Sequence, residues 1–317
     1  VASICGTAAE LENLAIGQSP ITQNSKLKTQ NSKLKTVFSE EVRMTRNAMI
    51  ITDYHMHSTF SPDGNASVAE ICRHAFDRGM TAIAITEHAE WISDYPETGF
   101  PRAAEFLAEI DRRRAEYSPR GMHVYSGVEL GNPHHYPVQV ARFLEAHPFE
   151  VVIASLHWLD GKNIHQEECF GQRDPYEVYA DYFIELGHMA RDFDFDILAH
   201  FDRIFWRGSL LGARFNPRFI EDVVREALHQ IASHDRCLEL NTKFLAEPYH
   251  WNDTLVTLFR WFREAGGRRV VINSDAHDLA EIGRNGAIGQ QILRQAGFVA
   301  AAQFFQVAPR SEFELAG

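Results

Sequence analysis

Nine side chains in this sequence have the chemistry to hold metal ions. They are His55, His57, His88, His157, His200 and His277, with the carboxylates Asp63, Glu129 and Asp275. Imidazole nitrogen and carboxylate oxygen together make a ligand set suited to Zn, Mn or Fe. His55 and His57 stand two apart, as do Asp275 and His277, and on a strand such pairs project from one face. Any one of these histidines, taken alone, reads as readily as a hydrogen-bonded core or loop residue. Together they read as one metal site: hydrophobic patterning gives no reason for their positions, and unpaired they would be costly to desolvate.

The residues fall at or just beyond the C-terminal ends of short apolar, β-branched runs. These runs, at 49–55, 82–88, 124–130, 150–157, 196–200, 237–242 and 269–274, read as strands. Segments of helical period lie between them, at 68–77, 103–117, 137–146, 175–191, 217–234 and 253–265, with another near 286–295. Pro137, Pro175 and Pro217 suit first-turn positions, where no amide donor is needed. Strand–helix alternation argues a parallel sheet. Seven strands with no long Gly/Ser/Pro linker argue one α/β domain over 48–317, a barrel rather than an open sheet. In such a barrel the C-terminal strand ends converge on the face where active sites sit. The stretches 158–174 and 202–216 read as long loops on that face.

The chain has 317 residues and a formal charge of −12, with 43 acids against 31 bases. Partners such as duplex nucleic acid or a membrane surface normally call for a basic excess, so neither is favoured. No apolar run approaches the roughly 18 residues that span a bilayer; the stretch 298–308 is interrupted by Gln303 and Gln306. Cys5, Cys72, Cys169 and Cys237 form no CxxC pair, which argues against a thiolate zinc site. No secretory signal is readable, and a cytoplasmic location is expected. Walker, GxSxG and HExxH motifs are absent from the sequence. Residues 1–47 differ from the rest: QNSKLKT at 23–29 recurs letter for letter at 30–36. One Leu per heptad builds no coiled-coil seam and buries too little to order the segment. A disordered extension is expected here, either a flexible basic tether or, preferred, a translated repeat upstream of a start at Met44 or Met49.

The motifs DYHMHSTFSPDG (from Asp53), AIAITEHAEW, GVEL, PFEVVIASLHWLDG, ILAHFD, LELNT and INSDAH occur in that order. Through them, over about 50–298, the chain resembles the PHP (polymerase and histidinol phosphatase) superfamily, and within it the stand-alone histidinol-phosphatase branch. The resemblance implies a distorted seven-stranded (β/α)7 TIM-like barrel holding three divalent transition-metal ions. One ion would lie near His55, His57, Glu129 and Asp275. A second would share Glu129 and take His157 and His200. A third would be held by Asp63, His88 and His277. Family members carry His or Asp at the position of Asp63, so this chain has the carboxylate version, a choice that bears on the third metal's affinity or identity.

The activity so implied is hydrolysis of a small phosphate monoester by attack of a metal-bridging hydroxide on phosphorus, with Glu129 and Asp275 at the catalytic centre. L-histidinol phosphate is the leading substrate, which implies a role in histidine biosynthesis. Three divalent ions against three carboxylates leave a net charge of roughly +3, and a bridging hydroxide would bring it to about +2, which complements a phosphate dianion. For the arginine that holds the non-bridging oxygens, Arg203 is preferred over Arg207 and Arg173. Glu87, beside His88, is expected in a supporting or acid role. Trp158, Trp206, Tyr54 and Phe60 are candidates to line an apolar pocket. The segment 242–248 departs from the shorter Gly-containing segment of the nearest family members, and with Phe205-Trp206-Arg207 this bears on the substrate. Three further readings stand beside this one. The chain could act on another small phosphate or on nucleotide or nucleic-acid ends, could be a non-catalytic metal-binding protein, or, least favoured, could be a serine hydrolase built on Ser155 and His157.

Overall fold

Period-two alternation decides what each apolar run turns inward. In the computed structural model, which describes residues 52–92, 98–246, 251–300 and 305–307, seven such runs are strands: β1 (Thr52–Asp53), β2 (Ala82–Ala89), β3 (His123–Gly131), β4 (Val151–Ser155), β5 (Ile197–Leu198), β6 (Cys237–Asn241) and β7 (Val270–Asn273). They form one parallel sheet in chain order. First and last strands are drawn together beyond their ends. Met56 bridges Ala276, and the His57 N–H donates to the Ala276 carbonyl at 2.8 Å. The buried Asp53 carboxylate accepts from the Ser274 amide at 3.1 Å and its hydroxyl at 2.5 Å. The result is a nearly closed α/β barrel. The tandem heptads and the rest of the expected extension lie outside the described residues.

Eight helices are described: α1 (Val68–Asp77), α2 (Ala103–Tyr117), α3 (Pro137–Ala146), α4 (Pro175–Asp192), α5 (Arg203–Leu210), α6 (Glu221–Ser233), α7 (Asn252–Glu264) and α8 (Gly286–Ala296). Local chemistry explains their starts. Ser67 and Glu70 form a capping box on α1, which buries Val68, Ile71, Cys72 and Ala75 at helical spacing. Pro137 and Pro175 open α3 and α4, and the Asp174 carboxylate caps the latter. The expected helix 217–234 is split: Pro217–Ile220 is a 3₁₀ turn and the α-helix begins at Glu221.

Two expected loops are more ordered than their sequences suggest. The stretch 202–216 contains α5, whose eight residues are too few for a clear apolar period but bury Ile204 and Phe205. The stretch 158–174 opens with a hairpin, Trp158–Leu159 against Lys162–Asn163. Asp160 and Gly161 at its tip both have positive φ, which is the Asp-Gly turn that twists correctly for a hairpin.

Below the site the barrel is filled, not hollow. Ala84, Ile153, Ile197, Ala199, Cys237 and Val271 form its floor with Tyr54. Tyr54 packs edge-on against Phe305, with ring centroids 5.7 Å apart, and Phe60 packs edge-on against Phe106. Both were candidate pocket walls; Tyr54 is instead a core residue, and Phe60 is half-buried against the core with Arg102 over its ring. Outside the sheet, α1 and α2 cover Ile83, Ile85, Val128 and Leu130. Helices α4, α6 and α7 cover Leu198, Leu238, Leu240 and Val270. Cys72, Cys169 and Cys237 are buried and unbridged, and no described helix is long and apolar enough to cross a membrane.

Candidate metal centre

Strand register places the first pair of donors. His88 on β2 lies directly opposite Glu129 on β3, with His88 Nδ1 2.9 Å from Glu129 Oε2. All nine expected side chains then gather around Glu129 at the C-terminal mouth of the barrel. His55 Nε2 and His57 Nε2 each stand 3.3 Å from Glu129 Oε2, and 3.7 and 3.4 Å from Asp275 Oδ1. Glu129 Oε1 faces His157 Nε2 at 3.2 Å and His200 Nε2 at 2.8 Å, and those two nitrogens are 3.4 Å apart. Asp63 Oδ2 reaches His277 Nε2 at 3.0 Å and His88 Nε2 at 3.4 Å.

These spacings test whether ions fit. Nitrogens and oxygens about 2.0–2.1 Å from one tetrahedral zinc lie roughly 3.3 Å from each other, and most of the distances above are close to that edge length. His55 Nε2, His57 Nε2 and Glu129 Oε2 are buried without a hydrogen-bond partner among the described residues. Orphaned buried polar atoms are rare, and here they belong to three groups that face one another. The donor set therefore fits divalent cations. Groups of His, Glu and Asp with mutually close donor atoms recur through it: His57, His88 and His277; His55, His57 and Asp275; His55, Glu129 and His200.

Protonation divides the cage imidazoles: against burial, the neighbouring carboxylates hold His55 and His88 well above the usual imidazole range and His157 up to about 9. Burial, then the neighbouring His88, pushes the His57 imidazole down to about 3, and burial takes His200 down to about 4. Both rings keep their lone pairs at neutral pH. Burial works against the charge of Glu129, yet His55, His88 and His157 hold its carboxyl well below the usual carboxylate range. The same opposition leaves Asp275 ionised, through Arg203 and Lys243.

A supporting ring of residues orients the donors, and sequence reasoning missed most of it. Glu239, fully buried on β6, faces His55 Nδ1 at 3.1 Å and accepts from the His200 amide at 2.9 Å. Glu90 holds His157 Nδ1 at 2.5 Å. Gly131 leaves room for it: a Cβ there would fall 1.9 Å from Glu90 Oε2. The Ser155 hydroxyl donates to Glu129 at 2.5 Å, so it braces the central carboxylate and is not a nucleophile set against His157. Glu87 is buried and takes hydrogen bonds from the Ser58 and Ser61 hydroxyls, both at 2.5 Å, while burial lifts its carboxyl to about 7. Of the two roles expected for Glu87, this enclosure fits the supporting one. One available signal was parity: Glu239 shares the inward face of β6 with Cys237 and Asn241, where a charge needs a partner.

Two of the donors sit on strained backbone. His200 and Asp275 have φ of 23° and 50°, a conformation that costs non-glycine residues roughly 1–3 kcal/mol each. Glu239 fixes the first through its amide, and Arg284 donates to the Asp275 carbonyl at 3.2 Å.

At the mouth, Arg203 opens α5 with its side chain buried and paired to Asp275 Oδ2. Lys243 Nζ stands 4.0 Å from the same carboxylate. Trp206 and Phe244 stack with their rings 5° from parallel and centroids 5.6 Å apart, with His165 edge-on to Trp206. Arg173 is directed elsewhere, to Asp160 and Asp181, and Arg207 donates to the His165 carbonyl. Trp158 is buried with its amide bound to Asn132.

A parallel α/β barrel whose strand ends carry a cage of imidazoles and carboxylates defines a metal-binding barrel enzyme. Residues 53–243 match the model of the PHP domain, and the chain belongs to the PHP domain family. It is 25% identical over 258 residues to a protein from Lactococcus lactis named histidinol-phosphatase, covering 80% of this chain and 93% of that one. It is 28% identical over 238 residues to a probable histidinol-phosphatase from Clostridium acetobutylicum, covering 74% and 90%. The crystal structure of the Lactococcus lactis histidinol phosphate phosphatase complexed with zinc, L-histidinol and phosphate superposes with a TM-score of 0.71 at 23% identity. That match covers 78% of this chain and 94% of the other, and it shows the shared fold.

Proposed function

We propose that this protein is a metal-dependent phosphomonoesterase of the histidinol-phosphatase kind, which converts L-histidinol phosphate to L-histidinol and phosphate. The observation that carries this reading is the set of donor atoms around Glu129, spaced as the edges of ligand polyhedra at the catalytic end of the barrel. The names of the full-length relatives supply the substrate.

Up to three divalent ions of the Zn, Mn or Fe class would be held by His55, His57, Glu129 and Asp275; by Glu129, His157 and His200; and by Asp63, His88 and His277. Bound there, such ions supply Lewis acidity and lower the pKa of water toward about 7. The chain's own residues do the positioning. Glu129 turns one oxygen to His55, His57 and His88 and the other to His157 and His200, and would help hold ions through both. Glu239 and Glu90 fix the ring orientation of His55 and His157, the part such outer carboxylates play in metal sites. Arg203 spends part of its guanidinium on Asp275 and keeps further N–H donors for the phosphoryl oxygens. Lys243 adds a second positive charge at the same mouth. The Trp206–Phe244 stack forms an apolar wall beside these cations, suited to the flat imidazole ring of the histidinol moiety.

Metal-reconstituted protein should release phosphate from L-histidinol phosphate faster than from sugar or nucleoside monophosphates. Release from the other monoesters alone would remove the histidinol assignment and keep the mechanism. No release from any of them would remove both.

A further inference from the structure

Outside the nine cage donors, a second group of imidazoles surrounds one carboxylate. The 3₁₀ turn Pro133–His135, which follows β3, presents His134 and His135. Helix α4 presents Glu185 and His188, three residues apart on one face. His134 Nε2 and His135 Nε2 stand 2.7 and 2.5 Å from Glu185 Oε1, and His188 Nδ1 stands 3.4 Å from Oε2. We propose that His134, His135, Glu185 and His188 form a second metal site, separate from the barrel cage, that takes a divalent transition ion of the zinc class.

Three features carry the assignment. The donor set is three imidazoles and one carboxylate, which suits zinc and its neighbours. Second, among the described residues the ion pairs of Glu185 are all with imidazoles and none with Lys or Arg, whereas a partly exposed carboxylate commonly meets one of those. A divalent ion would neutralise the carboxylate that these three rings surround. Third, the parts can move to admit an ion. The present spacings are those of hydrogen bonds, and ligands of one tetrahedral zinc stand roughly 3.3 Å apart. The rings must therefore draw back by about 1 Å or less. His135 and His188 have side chains 47% and 45% exposed, while His134, at 5%, is the fixed member. The ion would tie the turn after β3 to α4. Asn132, at the head of that turn, also binds the His157 amide at 3.0 Å, so the tie would stiffen the frame behind one of the cage imidazoles.

The test is zinc content of the full chain after equilibrium dialysis against a series of free Zn²⁺ concentrations. The His135→Asn/His188→Asn double variant should saturate one equivalent below the wild type and keep phosphatase activity within twofold. Glu185→Gln, which preserves shape, should lose the same equivalent, and matched circular dichroism secures the fold of both. Equal saturation of wild type and both variants overturns the site. Loss of zinc in parallel with activity also overturns it, because the missing ion would then belong to the barrel cage.

Discussion

Two clusters of the same residue types lie in this molecule, and they are built differently. In the barrel cage, donor atoms are mostly 3.2–3.7 Å apart, and His55, Glu129 and Glu239 are fully buried. Several of the facing atoms have no hydrogen bond among the described residues. In the cluster at Glu185, the shortest contacts are 2.5–2.7 Å and two of the three imidazoles are half exposed. The first arrangement is incomplete without cations, because orphaned polar atoms in a dry interior cost about 1–3 kcal/mol each. In the second, the nitrogens that face Glu185 are within hydrogen-bonding reach of it, His134 Nδ1 on the far side of its ring is left without a partner among the described residues, and the two half-exposed rings have water to fall back on. Spacing and burial, more than ligand identity, therefore separate a centre that depends on ions from a site that merely accepts one.

The sharpest way to break that distinction is to strip the metal. Dialysis against a strong chelator should abolish phosphate release. It should also lower the thermal midpoint by roughly 5 °C or more, since saturating ligand at about 100 times Kd contributes about 2.7 kcal/mol per site. Readdition of Zn²⁺ or Mn²⁺ should restore both. A chelated enzyme with unchanged turnover and melting would mean that the barrel cage is a hydrogen-bonded network like the one at Glu185.

Glu129→Gln should come next in size. It removes the charge that faces five imidazoles and leaves a near-isosteric amide. We expect kcat to fall by about 10³-fold or more, comparable to the loss of a principal electrostatic contact in a transition state, with the circular dichroism spectrum retained. Near-normal turnover would show that this carboxylate does not join the ion positions. Glu239→Gln is one layer further out. It should weaken metal affinity or activity by roughly 10–100-fold, the usual effect of losing an outer partner of a ligating imidazole. An activity equal to wild type at limiting metal would make its contact with His55 incidental.

Much of the cage was legible because its donors follow strand ends, and strand ends follow apolar β-branched runs. The boundaries of α1, α2 and α3 agree with the helical periods at 68–77, 103–117 and 137–146. The supporting residues were harder to read. Glu90, Ser155 and Glu239 act through contacts across 67, 26 and 184 positions of chain, and no local period reports such distances. Helix α5 escaped notice because it is short and rich in aromatic and basic residues. Tyr54 was misplaced for a simpler reason: it lies among candidate ligands in sequence, but alternation turns it to the floor while His55 turns to Glu129 and Asp275. The pairing of Arg203 with Asp275 depends on how α5 meets β7, which spacing alone does not encode.

The smallest effect is expected at Glu185, and it is the one that tests the comparison from the other side. Glu185→Gln keeps the shape and one acceptor oxygen, so either His134 or His135 retains a neutral hydrogen bond while the charge-assisted character is lost. That change should cost about 1–2 kcal/mol and lower the thermal midpoint by roughly 2–8 °C. Turnover at saturating metal should stay within twofold, because Asn132, at the head of the turn that carries the cluster, binds the His157 amide and not its ring. Set beside Glu239→Gln, the pair separates a carboxylate that orients a ligand from one that gathers histidines at the surface. If Glu185→Gln lost activity as steeply as Glu239→Gln, the turn after β3 would be transmitting its geometry to His157, and the two clusters would have to be treated as one coupled system.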